Sequence, residues 1–169
     1  MSEQLKPKFV KDSQITMIEL VLPNDTNMLN NLLGGRLMHW MDIAAAMSAA
    51  RHCNNVAVTA SVDGLVFHHP VRLGNIVTLK TSVNCAFTTS MEVGVRVDIE
   101  DFETGEKKHS NSAYFTFVSI HRVNGQKMHV PAIIPQDSEE KRRYEQAVIR
   151  RGQRLQSKHG IIHHDTKEK

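Results

Sequence analysis

The sequence predicts an α+β domain in which one curved antiparallel sheet wraps a single long helix. Three observations carry this. An Ala-rich apolar stretch opens at Gly34-Gly35. Segments of β-branched and alternating residues follow it. The connections between those segments are of hairpin length, which joins antiparallel neighbours. One helix set beside such a run of strands packs as helix on sheet. The 169 residues suffice for one core of this kind and not for two.

Residues 1–12 read as a flexible N-terminal tail, 13–136 as the folded domain, 137–158 as a basic C-terminal helix and 159–169 as a disordered tail. "QITMIELVL" (14–22) has the β-branched content of a first strand. "PNDTNMLNNLLGG" is loop chemistry. From Gly35 to about His52 the residues are strong helix formers, with Ala44, Ala45, Ala46, Ala49 and Ala50 among them. Apolar positions almost encircle this helix, which predicts burial on most sides. "VAVTASVDGLVFHHPV" (56–71) reads as strand, ending at Pro70 and a turn at 73–75. In "IVTLKTSVNCAF", Val77, Leu79, Thr81, Val83 and Cys85 share one face. "MEVGVRVDIEDF" alternates, with Met91, Val93, Val95, Val97 and Ile99 inward and Glu92, Arg96, Asp98 and Glu100 outward. "ETGEK" turns the chain into "SAYFTFVSI", and Asn124-Gly125 makes another turn. Asp137 followed by Glu140 resembles a capping box and starts the last helix.

Composition bounds the function. Two cysteines, Cys53 and Cys85, make no disulfide framework, and the polar N-terminus lacks the apolar stretch of a signal peptide. No apolar run reaches the roughly 18 residues of a membrane span. The expectation is a cytoplasmic protein with neither membrane nor nucleic-acid partners. The net charge of +3 is concentrated in "KRRYEQAVIRRGQRLQSK". Only Tyr144 is aromatic there, which suits a solvated face or ligand phosphates better than nucleic acid.

No GxGxxG, P-loop or GxSxG motif is present, and no Cys-x-x-Cys pair. His68 and His69 are adjacent, so in a strand they point to opposite faces and cannot share an ion. His159, His163 and His164 lie in the expected tail. No metal is expected. Asp42 is different. It is the single carboxylate between Asp25 and Asp63, set among Trp40, Met41, Ile43 and Ala44. Asp is a poor helix-interior residue, and burying it without a partner is costly. A carboxylate placed there anyway is a candidate base or nucleophile. Gly34 and Gly35 open the same helix, where free N–H groups can hold an oxyanion. Asn27 and Asn31, in the preceding loop, are placed to orient a water.

The stretches "PNDTN…GGRLMHWMDIAAAMSAARHC", "VTASVDGLVFHHPVRLGN", "TTSMEVGVRVD" and "SAYFTFVSI", with "SEEKRRYE" opening the last helix, resemble the hotdog-fold acyl-CoA thioesterases, closest to the cytosolic acyl-CoA hydrolases and their bacterial relatives. The similarity runs from about Ser13 to Arg150. It implies a single hotdog domain over 13–136, paired as a homodimer and assembled as a trimer of dimers. It implies hydrolysis of acyl-CoA to fatty acid and coenzyme A at the dimer interface. No cofactor is implied, coenzyme A being part of substrate and product. It puts Asp42 at the position of the family's catalytic aspartate. Asn27 falls at that of the asparagine supplied by the other protomer, with Asn31 as a nearby second amide. Gly34 and Gly35 would serve the carbonyl. Ser61 and Asp63 would line the pantetheine slot, and Arg72, Thr88, Thr89 and Ser90 would contact coenzyme A. Arg142, Arg143, Arg150 and Arg151 are candidates for its nucleotide end. Many relatives carry His before Gly-Gly, where this chain has Leu33, and some hold two hotdog repeats where this one holds a single copy.

Two other readings fit the fold. A hydroxyacyl-thioester dehydratase favours a His paired with an acid, and no such pair stands out. An acyl-CoA sensor usually carries a DNA-binding domain, for which the short N-terminal segment leaves no room.

Overall fold

The computed structural model describes residues 5–66 and 69–165, with side chains to residue 157. A five-stranded antiparallel sheet is built from β2 (Ile15–Leu20), β3 (Val56–Asp63), β4 (Ile76–Ala86), β5 (Ser90–Glu100) and β6 (Lys107–Ile120). Their spatial order is β2-β4-β5-β6-β3, so β2 and β3 are its two edges. The long helix α1 (Gly34–Cys53) lies across one face, and α2 (Ser138–Asp165) packs against the other. This is the arrangement expected from the sequence.

The expected alternation sets the core. Val77, Leu79, Thr81 and Val83 of β4, and Met91, Val93, Val95, Val97 and Ile99 of β5, are buried in one core, whereas Cys85, expected on the same face, is turned with its register partner Glu92 to the α2 side by a β4 bulge between Val83 and Cys85. Phe115 and Phe117 of β6, two apart and therefore on one face, put their ring centroids 6.4 Å apart among them. Each such ring contributes about 2–3 kcal/mol through burial. From the helix come Leu37, Trp40, Met41, Ala44, Ala45 and Ala49. The small alanines let the helix approach the sheet, and the Thr81 hydroxyl donates to the Ala44 carbonyl at 3.1 Å.

Ser13 ties three elements together. Its hydroxyl donates to the Val10 carbonyl (2.7 Å) and accepts from the Val83 N–H (2.9 Å), while its carbonyl accepts from the Ser48 hydroxyl (2.7 Å). The Val83 N–H is available because β2 begins only at Ile15, opposite Thr81, and Ser13 stands where that ladder would continue.

Several expectations are corrected. The N-terminal segment is not a loose tail from residue 5 onward. β1 (Lys8–Phe9) pairs in parallel with β7 (Ile133–Ile134), and Val10 beside it is buried. Asp12 caps the short 3₁₀ turn that follows by accepting from the Phe9 N–H at 2.9 Å. The strand expected over 56–71 ends at Asp63. At the other end, α2 continues past Lys158 to Asp165, there being no proline to stop it; residues 166–169 lie outside the described residues. Glu92 is not outward but 2% exposed, because α2 covers that face and Arg150 meets the carboxylate. Within the protomer α1 buries its Leu37, Met41, Ala44, Ala45 and Ala49 side and leaves one side, with Met38, Ile43 and Met47, exposed. The capping box at Asp137 is half as read. Asp137 accepts from the Glu140 N–H (2.8 Å), but Glu140 reaches the Gln136 N–H (2.6 Å).

Candidate active site

The site begins with the turn after α1. Asn54 adopts the left-handed conformation (φ 51°), which ends the helix and sends the chain back as β3. The returning strand brings Thr59 to Asp42, and the threonine hydroxyl donates to Oδ1 of the aspartate at 2.6 Å. Thr59 went unnoticed in the sequence. Asp42 is half-buried, and Thr59 is exposed because β3 is bonded only on its β6 side. The pair sits at the open edge of the sheet, beside the uncovered apolar side of α1.

A bulge in β3 sorts its side chains. Thr59 pairs in register with Phe117, Ser61 with Thr116 and Asp63 with Tyr114, the register shifting between Thr59 and Ser61. Residues two apart normally share a face; here the extra residue, Ala60, puts Thr59 on the α1 side and Ser61 and Asp63 on the α2 side. Asp63 accordingly accepts from Arg154 of α2 at 2.6 Å. The structure therefore does not bring Ser61 or Asp63 to Asp42.

The loop carrying Asn27 is held to the helix start. Buried Asp25 accepts from the Leu22 N–H (3.0 Å) and pairs with Arg36 of α1 (2.9 Å), while its carbonyl accepts from the Leu33 N–H (2.9 Å). Asn27 Oδ1 accepts from the N–H groups of Leu29 (2.9 Å) and Asn31 (3.2 Å). Those two donors fix the amide's orientation and leave Nδ2 to donate outward. Asn31 and Arg72 form a bridge, so Arg72 joins the same loop. Among the described residues no hydrogen bond links Asn27 to Asp42; the two stand on separate elements of one protomer.

No side chain caps α1, whose N-cap position is Leu33. The first N–H groups of the helix, at Gly34 and Gly35, therefore keep their donor capacity. A Cβ at Gly35 would meet nothing within 4 Å, so that backbone is open to approach. Thr88, Thr89 and Ser90 form the β4–β5 hairpin, two strands away from β3. It lies one residue past Met91, which pairs with Phe117, the register partner of Thr59. The hairpin carbonyls of Thr88 and Thr89 are taken by Val130 and Ser119.

Of the four arginines expected at the nucleotide end, Arg150 is committed to Glu92 and lies 3.5 Å from the Tyr114 ring centroid, and Arg151 stacks on Phe87. Arg142 and Arg143 pair with Glu139. Among the described residues no group of three His, Cys, Asp or Glu is placed to hold a metal ion. His68 and the side chains of His159, His163 and His164 lie outside the described residues.

A carboxylate with an anchoring hydroxyl, on the helix whose free N-terminus lies two turns upstream, is a constellation for acyl transfer. Known proteins agree. A family model for the thioesterase superfamily matches residues 29–105. An acyl-CoA thioester hydrolase of Bacillus subtilis is 38% identical over 156 residues, covering 92% of this chain and 90% of its own. The crystal structure of an acyl-CoA hydrolase from Bacillus cereus superposes with a TM-score of 0.88 at 36% identity, covering 95% of this chain and 98% of that one. A Staphylococcus aureus acyl-CoA hydrolase, solved with butyryl coenzyme A and coenzyme A, gives 0.82 at 35% identity, covering 92% and 97%. The chain belongs to the acyl-CoA hydrolase family of hotdog-fold thioesterases.

Proposed function

We propose that the protein hydrolyses fatty acyl-CoA thioesters to free acid and coenzyme A, at a site completed by a second copy of the chain. The observation that carries this reading is the Asp42 carboxylate, held by Thr59 at 2.6 Å on the open edge of β3. The thioester carbonyl accepts hydrogen bonds from the N–H groups at Gly34 and Gly35, where charge grows as the carbonyl is attacked. Asp42 removes a proton from the attacking water, or attacks the carbonyl itself to give a mixed anhydride that water opens. Asn27 of the second copy donates through Nδ2 to the water or the carbonyl.

Alanine variants of the Staphylococcus aureus enzyme at one asparagine, one aspartate and one threonine have been characterised. These three residues are spaced as Asn27, Asp42 and Thr59 are here, which supports those three as one working unit. The free edge of β3, with exposed Val56 and Val58, and the exposed Met38, Ile43 and Met47 of α1 form the surface that a second copy covers. A solved relative 35% identical to this chain is a hexameric acyl-CoA thioesterase, and a trimer of dimers is the assembly proposed here. Arg72 and the Thr88–Ser90 hairpin take the coenzyme A end. The mouse relative bears the name cytosolic, and no described helix is long and apolar enough to cross a membrane; a cytoplasmic location fits both.

Release of thiol from acyl-CoA tests the reading. Asp42→Asn is expected to lower kcat by about 10²–10⁴-fold with the fold intact. Turnover near the wild-type rate would remove Asp42 from its role.

A further inference from the structure

The face of the sheet turned away from Asp42 carries a second concentration of chemistry. Thr16, Lys80, Arg96 and Ser112 stand side by side in register across β2, β4, β5 and β6. Lys80 and Arg96 are directly opposite each other on adjacent strands, an arrangement that is unfavourable for like charges. The first turns of α2 add Arg142 and Arg143. These four cations, with Ser82 and Ser112, line an open cavity of about 370 Å³ between sheet and helix.

Among the described residues two acids answer the four cations. Asp98 is shared by Arg96 Nε (2.8 Å) and Lys80 Nζ (3.4 Å). Glu139 is shared by Arg142 (2.6 Å) and Arg143 Nε (3.1 Å). Two positive charges remain over. Arg96 and Arg143 make these bonds through Nε, which leaves their paired terminal nitrogens as planar forks suited to phosphoryl oxygens. The hydroxyls of Ser82 and Ser112 add neutral donors. Apolar walls are scarce: Tyr114, the one aromatic lining the cavity, already has Arg150 over its ring. Charge and hydrogen bonding, rather than base stacking, therefore select what binds, in a volume at the small end of ligand sites.

We propose that this cavity is a second ligand site, taking a compact polyanion of the phosphoanhydride type that bridges β4 and β5 to the start of α2. It is independent of the thioesterase reading, since Asp42 and Thr59 lie on the other face of the sheet. Coenzyme A also contains a pyrophosphate, so the experiment separates the two sources.

The probe is inorganic pyrophosphate with the full chain, followed by thermal unfolding and by calorimetry at an ionic strength held constant with sodium chloride. Pyrophosphate is expected to raise Tm in the wild type and equally in Asp42→Asn, because a ligand of the folded state stabilises it. Arg96→Gln combined with Arg143→Gln should abolish the rise. Lys80→Gln, a single exposed change that leaves the arginines in place, should weaken binding about tenfold. Binding should persist when the protein is saturated with coenzyme A. No rise beyond the chloride control, a rise undiminished in both variants, or displacement of pyrophosphate by coenzyme A would each overturn the proposal.

Discussion

Thr59 donates its hydroxyl to Oδ1 of Asp42 across 2.6 Å, from the strand that doubles back along α1. The bond pins one carboxylate oxygen and leaves the other to act. A hydrogen bond to a charged group contributes about 1.5–3 kcal/mol where it is shielded from water. Thr59→Ala is therefore expected to reduce kcat/KM about tenfold, acting mainly on kcat, while Thr59→Ser keeps most of the activity. Steady-state kinetics with one acyl-CoA checks this; equal rates for Ala and Ser would show that the hydroxyl does not orient Asp42.

The ion pair of Glu92 with Arg150 fastens α2 to the sheet. Both carboxylate oxygens are engaged, at 2.7 and 3.0 Å, and Asn84 Nδ2 donates to the same group at 3.0 Å. Removing one partner strands a buried charge, which costs about 3–5 kcal/mol. Arg150→Ala should lower stability by that order in urea unfolding. Exchanging both residues for leucine should cost less than Arg150→Ala alone, an ordering that a pair without energetic coupling would not produce.

His52 gives the fold a defined acid sensitivity. The ring is fully buried at the end of α1, with Nε2 2.8 Å from the Pro131 carbonyl, which can only accept. Burial holds its pKa below the ordinary 6.5, outweighing the opposing effect of that carbonyl. The unfolded chain takes up the proton first as pH falls. The stability that His52 contributes is thus complete above about pH 6.5 and is lost as pH falls towards the folded value, at up to about 1.4 kcal/mol per pH unit. His52→Gln, which keeps a donor for Pro131, should flatten the decline in Tm between pH 7 and 5. A parallel decline in both proteins would assign it to other groups.

Cys85 is predicted to be inert in the native protein. Burial, reinforced by the nearby Glu92 charge and opposed by a hydrogen bond from Tyr144, pushes its thiol up to about 11. Pulse alkylation at pH 8 should modify Cys85 only after unfolding, as read by mass spectrometry of the peptide. Rapid native labelling would mean that α2 lifts from the sheet.

The helix and the sheet were legible because period is local: alternation at Met91–Ile99 and the alanines of 44–50 require no knowledge of partners. Asp42 was legible for the opposite reason, as a residue that its surroundings do not favour. Thr59 was hidden in a strand of ordinary composition, yet geometry could have found it. From Asp42 the helix climbs about 16 Å to its end at 1.5 Å per residue, and a strand descending at 3.3 Å per residue regains that level after about five residues. Counted from Asn54, that is Thr59. Glu92 misled because its outward position was read as solvent, whereas α2 covers that face. The turn of Ser61 and Asp63 to the α2 side, away from Asp42, was not legible because a register shift leaves no mark in composition.

That shift has a consequence for how the chain tolerates changes in length. β3 holds one peptide more than its ladder with β6 requires. Excising Ala60 would leave every neighbouring pair matched, so the strand would keep its place while losing the local kink. The aim of the Thr59 hydroxyl is thus adjustable by trimming a margin, much as a hinge is set by a shim, without disturbing the packing behind it.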